Sequence, residues 1–166
     1  MKCLKRNYYN GQDFWNEKTK YKRIEYPIND EIIKRAEDIL SIKFPQSLID
    51  LMKIQNGGEI NYRYFILPSG VTGSIHSIEP IHFEKDDISI LSSLELLKEV
   101  DGLSKELIVL WTDFHCWLVL DYRNRKDNPP ILYIEEDFSA SSNETTDWEY
   151  FKIADTFEEF LKKLFR

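Results

Sequence analysis

Residues 44–66, FPQSLIDLMKIQNGGEINYRYFI, decide the fold of this chain. After the proline, which suits the first turn of a helix, apolar side chains recur at helical spacing: Leu48, Ile49, Leu51 and Met52. Asn56-Gly57-Gly58 ends that helix, and residues 59–66 have the composition of a strand. The stretch therefore predicts a compact unit of helix, Gly-Gly stop and strand.

Periodic patterns on both sides of this unit predict the other elements. A helix is expected to run from its N-cap, Asn29 or Asp30, to Leu40. Further strands are expected over residues 76–83 (an edge strand broken by Pro80), 107–111, 116–120, 131–134 and 148–154, and further helices over residues 91–100 and after a cap at Asp155 or Thr156. Because helices and strands do not alternate strictly, we expect an α+β fold with a mainly antiparallel, curved sheet of about five or six strands packed with helices.

The chain is expected to form a single domain with a short lead-in. At 166 residues, 42% of them hydrophobic, it is long enough to bury a core. We expect residues 28–166 to form the domain and residues 1–27 to pack on it, anchored by Phe14 and Trp15. No run approaches the ~18 apolar residues that a membrane span needs, and no signal peptide is recognisable, so we expect a cytoplasmic protein. Two distant cysteines, Cys3 and Cys116, agree with a reducing compartment.

Charge is distributed unevenly along the chain. Residues 1–23 carry seven basic and two acidic side chains, a net +5, while the whole chain carries −7, which leaves −12 on residues 24–166. An acidic body disfavours nucleic acid and anionic membranes as primary partners. It favours a basic protein partner, although a high negative charge also serves solubility alone.

One pair of residues invites a catalytic interpretation. His115 and Cys116 are adjacent, and a nucleophilic cysteine needs a base within hydrogen-bond reach. Neighbouring side chains in a strand point to opposite faces, so a buried, inert thiol is the expectation for Cys116. A hydrolase that uses His115 or nearby carboxylates is therefore a remote alternative, and no enzyme is expected.

The chain also lacks the spacings of metal and phosphate sites. His76, His82, His115 and Cys116 match no zinc-ligand pair. Gly57-Gly58 follows a helix and so presents carbonyl groups, whereas phosphate loops present N–H groups before a helix. We expect no cofactor and no metal.

Four segments, taken in order, resemble the SUKH superfamily, also called the Smi/Knr family. They are residues 33–40 with Phe44-Pro45, residues 49–58, the hairpin from Asp113 through His115 and Trp117 to residues 120–123, and residues 154–161. With Phe14-Trp15 included, the resemblance covers nearly the whole chain. The chain departs from the family pattern at Ser41, where a glycine is usual after the first helix, and at Thr112 and Phe114, which replace glycines on either side of Asp113.

The resemblance implies a cytoplasmic, non-enzymatic binding domain. Many bacterial members of this family look like immunity proteins, each of which neutralises the toxin domain of a polymorphic or contact-dependent system, often a nuclease. The alternative is a regulatory protein-interaction module, like the fungal relatives that regulate cell-wall (glucan) synthesis. Family membership alone does not separate the two functions, because fold does not fix function.

The excess negative charge also suggests where a partner would bind. We expect a basic toxin domain to contact three consecutive acidic residues, Glu135, Glu136 and Asp137, together with Asp113 and the loop at Asp86-Asp87. Opposite charge on the two partners would speed their association.

Overall fold

The computed structural model describes residues 5–17, 25–138 and 147–166. Cys3, the basic residues from Lys18 to Arg23, and residues 139–146, between the strands predicted over 131–134 and 148–154, all lie outside the described residues. In the part of the chain that is described, no helix has both the length and the apolar character to cross a membrane.

Among the described residues, four helices form where the periodicity predicts them: α1 Asp30–Leu40, α2 Gln46–Ile54, α3 Ser93–Lys98 and α4 Phe157–Lys163. Asn29 caps α1, because its Oδ1 accepts the N–H of Ile32 at 2.9 Å. Thr156 caps α4 in the same way. The helix predicted over residues 91–100 is shorter and begins with a 3₁₀ turn, Ile90–Ser92.

Eight short and long strands make up three antiparallel sheets among the described residues. The strands are β1 Gly58–Glu59, β2 Tyr64–Ile66, β3 Thr72–Ser74, β4 Ser77–Ile78, β5 Leu107–Thr112, β6 Cys116–Asp121, β7 Ile131–Glu136 and β8 Trp148–Ala154. The main sheet is a meander in the order β5-β6-β7-β8, while β1 pairs with β4 and β2 with β3. The predicted α+β fold is confirmed; its strands are divided between one sheet of four strands and two ribbons of two.

Two strand predictions need correction. The run 59–66 is not one strand, because its first part pairs with the N-terminal lead-in: Ile60 bridges Trp15, and the chain resumes strand geometry only at Tyr64. The run 76–83 yields only β4, because after Ile78 the Glu79 N–H donates instead to the Leu110 carbonyl at 2.8 Å and Pro80 has no N–H to donate.

Both faces of the main sheet are buried along β5, β6 and most of β7, which explains why these strands are continuous apolar runs rather than alternating ones. The edge strand β8 is buried only at its end. One face packs against α4 and the N-terminal half of the chain through side chains such as Leu118, Tyr133 and Phe160. The other face carries Val109, Trp117 and Ile134 and is covered by α3 and the segment after it.

Asn56-Gly57-Gly58 does not end α2 in the way predicted, although it links that helix to the strand that follows. Helix α2 ends at Ile54 and Gln55 is extended, so no glycine stands in the left-handed position directly after the helix. The buried Asn56 instead pairs with the backbone of Ile81, donating to its carbonyl and accepting its N–H, both at 2.8 Å. Gly57 passes so close to Pro80 that an added Cβ would lie 2.6 Å from the Pro80 nitrogen. This segment therefore holds two chain regions together.

The lead-in packs on the domain through its aromatic side chains. Phe14 and Trp15 are only 4% and 6% exposed. The Trp15 indole donates to the Leu51 carbonyl at 3.0 Å, at the last turns of α2. The Tyr9 N–H donates to the Leu164 carbonyl at 2.9 Å, just beyond α4.

Candidate protein-binding surface

One end of the main sheet gathers acidic and aromatic side chains. It lies where β5 turns into β6 and where β7 ends opposite the start of β8, with Cys116 paired to Glu135 and Glu135 paired to Glu149. The sheet-end surface, as we call it, consists of Asp113, Phe114, His115, Glu135, Glu136, Asp137, Phe138, Asp147 and Glu149. The antiparallel register brings these residues together from three separate parts of the chain.

Side chains build the turn between β5 and β6. The Asp113 Oδ1 accepts the N–H groups of His115 at 3.0 Å and Cys116 at 2.7 Å. The Thr112 hydroxyl accepts the Phe114 N–H at 2.8 Å and donates to the Cys116 carbonyl at 2.9 Å. Such bonds fix a short turn, so the glycine replacements at Thr112 and Phe114 are accommodated in an ordered tip.

Phe114 stands at the tip in a strained conformation. Its φ is +71°, in the left-handed region that glycine favours, and this costs a phenylalanine roughly 1–2 kcal/mol. Its side chain is 55% exposed, and its ring meets that of Trp117 edge-on at a centroid distance of 5.9 Å. Strain of this kind concentrates at functional sites, and here it presents an aromatic ring to solvent.

An ion pair ties the hairpin tip to the end of β7. The His115 Nδ1 lies 2.7 Å from a carboxylate oxygen of Glu136, and the Glu136 N–H donates to the His115 carbonyl at 2.9 Å. The hydrogen bond to Glu136 raises the pKa of His115 above its ordinary value. Phe138, 76% exposed, lies with its ring 5.9 Å from the imidazole.

Carboxylates crowd the rest of this surface. Burial, and then the charge of Glu149 across the strand pair, raise the pKa of Glu135. The Asp137 N–H donates to the Asp147 carbonyl at 2.8 Å, which brings that acidic residue to the same end of the sheet. Negative charge beside two exposed aromatic rings is suited to a basic protein surface, because charge guides encounter and buried rings supply binding energy.

The structure separates the residues expected at the partner site into two groups. Asp113, Glu135, Glu136 and Asp137 belong to the sheet-end surface. Glu135 and Glu136 are the last residues of β7, which is two residues longer than the strand predicted over residues 131–134. Asp86 and Asp87 lie in a different loop, between β4 and the 3₁₀ turn, where the Tyr26 hydroxyl donates to the Asp87 carboxylate at 2.5 Å.

Sequence reasoning missed Phe114, Phe138, Asp147 and Glu149 as members of the surface. The two phenylalanines carried a signal, since each is an isolated large apolar residue among polar neighbours in a predicted turn or loop. Asp147 and Glu149 reach the site only through the register of β7 with β8, which no local pattern contains.

The structure gives His115 and Cys116 separate partners. His115 faces Glu136, whereas the Cys116 thiol lies near the Tyr133 hydroxyl. Burial raises the pKa of Cys116, which disfavours the reactive thiolate. Within the described ranges, no three His, Cys, Asp or Glu side chains are grouped as a metal site would require.

His82 is accounted for by the fold. It is buried and stacks on Tyr26 at a ring distance of 3.8 Å. Its Nδ1 accepts the Glu84 N–H at 3.2 Å, and its Nε2 lies 3.0 Å from the Ile88 carbonyl. Both ring nitrogens are thereby used to hold the loop that carries Asp86 and Asp87.

Comparison with known proteins adds a family. A family model described as SMI1 / KNR4 family (SUKH-1) matches residues 27–163, which is most of the chain and includes the whole main sheet. Among curated proteins, none matches the sequence of the chain.

Proposed function

The chain belongs to the SMI1 / KNR4 family (SUKH-1), and from this premise we propose that it is an immunity protein that neutralises a cognate toxin domain. It binds the toxin through the sheet-end surface and blocks it by occlusion, without catalysis. The toxin is a basic domain, of the nuclease class, and the two proteins meet in the cytoplasm. The observation that carries this proposal is the meeting of carboxylates with exposed Phe114 and Phe138 at one end of the sheet.

The chemistry of that surface supports a macromolecular partner. A strained backbone holds the ring of Phe114 in solvent. A partner that buries this ring would gain binding free energy from the hydrophobic effect. The surrounding carboxylates would attract a basic domain and would repel acidic proteins. Binding through such a surface depends on complementary shape and charge and needs no reactive group.

The first test is co-expression with a toxin domain of the nuclease class, taken from a neighbouring gene if one encodes it. The proposal predicts that cells survive and that the two proteins purify as a complex. If the cells die although both proteins are folded and present, the immunity function for that pair is refuted. A chain that binds no such domain and instead retains a cellular protein would point to the regulatory alternative.

A second test measures the association rate to find which carboxylates speed the encounter with the toxin domain. A triple variant, Glu135→Gln, Asp137→Asn and Glu149→Gln, should slow association with the toxin domain by about tenfold at low salt, with the difference shrinking as salt screens it. The matched control removes three exposed carboxylates elsewhere: Glu31→Gln, Glu95→Gln and Glu99→Gln. An equal effect of the two variants would show that total charge, and not this surface, governs encounter.

A third test separates the rings from the charges. Phe114→Ala and Phe138→Ala should each raise the dissociation rate by about tenfold or more, as expected for central aromatic contacts. Val71→Ala, which truncates a similarly exposed apolar side chain in the loop before β3, serves as the control. Unchanged dissociation for both phenylalanine variants would remove the aromatic part of the proposal.

A further inference from the structure

A second surface lies at the opposite end of the main sheet. The α1 groove, as we call it, is a cavity of about 220 Å³ between the last turn of α1, the start of β5 and the chain after β6. Leu107 and Ile108 form part of its floor. Since β5 runs from Leu107 to Thr112, the groove and the sheet-end surface are separated by the length of that strand.

Two large aliphatic side chains are exposed in this groove. Ile39, from α1, is 58% exposed, and Leu94, from α3, is 43% exposed. They come from two different helices, so the groove offers apolar contact from both. Apolar side chains that share one concavity are typical of a binding groove, whereas scattered ones are ordinary.

The rim of the groove is basic, in a chain whose net charge is −7. Lys105, Arg125 and Lys126 line it, against a single carboxylate, Glu106. The Arg125 guanidinium donates to the Asn128 carbonyl at 2.7 Å. Among the residues that the structure describes, the ammonium groups of Lys105 and Lys126 make no hydrogen bond or ion pair. They are therefore available to a ligand.

We propose that the α1 groove binds an acidic peptide segment that carries an apolar side chain. The apolar side chain packs between Ile39 and Leu94, and flanking carboxylates pair with Lys105 and Lys126. The charge of this groove is opposite to that of the sheet-end surface, so its occupant is a different protein from a basic toxin domain. The chain then has two binding surfaces, one at each end of its main sheet.

The test uses a defined probe with the full chain. The probe is a fluorescein-labelled, acetylated octapeptide of sequence Glu-Glu-Asp-Leu-Phe-Glu-Asp-Glu, and binding is followed by fluorescence anisotropy at low salt. One control peptide replaces Leu and Phe with Ser, and a second is made neutral by replacing every Glu with Gln and every Asp with Asn. The proposal predicts saturable binding of the probe and at least fivefold weaker binding of both controls. Equal binding of the probe and its serine version would overturn it.

Variants place the binding in the groove. Ile39→Ser and Lys126→Glu should each weaken binding of the probe at least fivefold. Both substitutions change exposed side chains, so the fold should be retained, which circular dichroism can verify. Lys85→Glu, at an exposed position in the loop after His82, applies the same charge change elsewhere. If Lys85→Glu weakens binding of the probe as much as Lys126→Glu does, the α1 groove is not the binding site for the peptide. Self-association of the chain that Lys126→Glu abolishes would also overturn the proposal, because a second copy would then be the occupant.

Discussion

At the scale of single residues, the most informative positions are those that depart from the family pattern. Ser41, directly after α1, has φ +56°, and Phe114 has φ +71°. Both occupy places where the resemblance leads one to expect glycine. The sequence alone could identify these positions as unusual, but it could not show that the backbone keeps the left-handed conformation there and bears the strain.

The first prediction concerns Ser41. Ser41→Gly should stabilise the protein by about 0.5–1 kcal/mol, since glycine adopts the left-handed conformation without the cost that a Cβ imposes. The Ser41 N–H already contributes to the end of α1 by donating to the Asp38 carbonyl at 3.4 Å, and the substitution keeps that bond. Urea unfolding measures the difference. A loss of stability would mean that the serine side chain stabilises this helix end in a way that the geometry does not show.

The second prediction separates backbone strain from steric clash. Gly57→Ala should destabilise the protein by roughly 2–4 kcal/mol, because the new Cβ would meet the backbone of Pro80 in addition to the strain of φ +77°. Gly70→Ala is the matched control: its φ is +86°, but nothing lies within 4 Å of the added atom. It should cost only about 1 kcal/mol. Equal losses for the two variants would contradict the close approach of Gly57 to Pro80.

The third prediction concerns the pH dependence of stability. Burial raises the pKa of Glu79 to about 7, from an ordinary value of 4.5. Between those values the folded protein keeps a proton that the unfolded chain releases, so stability falls as pH rises from 4.5 to about 7 and the loss is complete above that. Glu79→Gln should therefore be more stable than the natural protein by roughly 1–3 kcal/mol at about pH 8. At about pH 4 the two should be equal, and a pH-independent difference in urea unfolding would refute this account of Glu79.

At the scale of elements, the sequence was most successful where local chemistry decides the outcome. The caps at Asn29 and Thr156, and the continuous apolar runs of β5 and β6, follow from side chains and their spacing. The prediction of one strand over residues 59–66 was wrong because distant segments pair with different parts of it. The Asn16 N–H donates to the Glu59 carbonyl, and Tyr64 bridges Phe165 near the end of the chain. Long-range partners of this kind leave no local pattern.

The same limit applies to the candidate surface. That Asp113 lies near residues 135–137 follows from the pairing of consecutive strands, β6 with β7, which is a common arrangement. The contribution of Asp147 and Glu149 depends on the register of β7 with β8, which includes an irregularity at Ile131 and Leu132. A shift of one residue would turn those side chains to the other face, so their place could only come from the structure.

The fourth prediction tests the tie between the β5–β6 hairpin and β7. The pKa of His115 should lie above its ordinary value of 6.5, and Glu136→Gln should lower it, because the charged hydrogen-bond acceptor is removed. A raised pKa means that the pair stabilises the fold below about pH 6.5 and that this contribution is lost as pH rises through the folded value. NMR titration of the imidazole measures the pKa of His115 in the natural protein and in the variant. An unchanged pKa in the variant would show that the contact with Glu136 does not persist in solution.

At the scale of the whole molecule, charge and shape divide the chain into two ends. The main sheet separates an acidic surface with exposed aromatic rings from a basic groove with exposed aliphatic side chains. Composition revealed only the overall acidity, because a net charge of −7 contains no information about where opposite charges collect. The arrangement supports the proposal that this chain binds other proteins at both ends of its main sheet.

Hydrogen exchange of the chain, free and bound to a toxin domain that it neutralises in co-expression, shows directly whether the sheet-end surface is the binding site. Binding should slow exchange of the amides of residues 113–117 and 135–138, because the partner excludes water from the sheet-end surface. Protection confined to the last turn of α1 and to α3, with the β5–β6 turn and the end of β7 unchanged, would contradict this prediction.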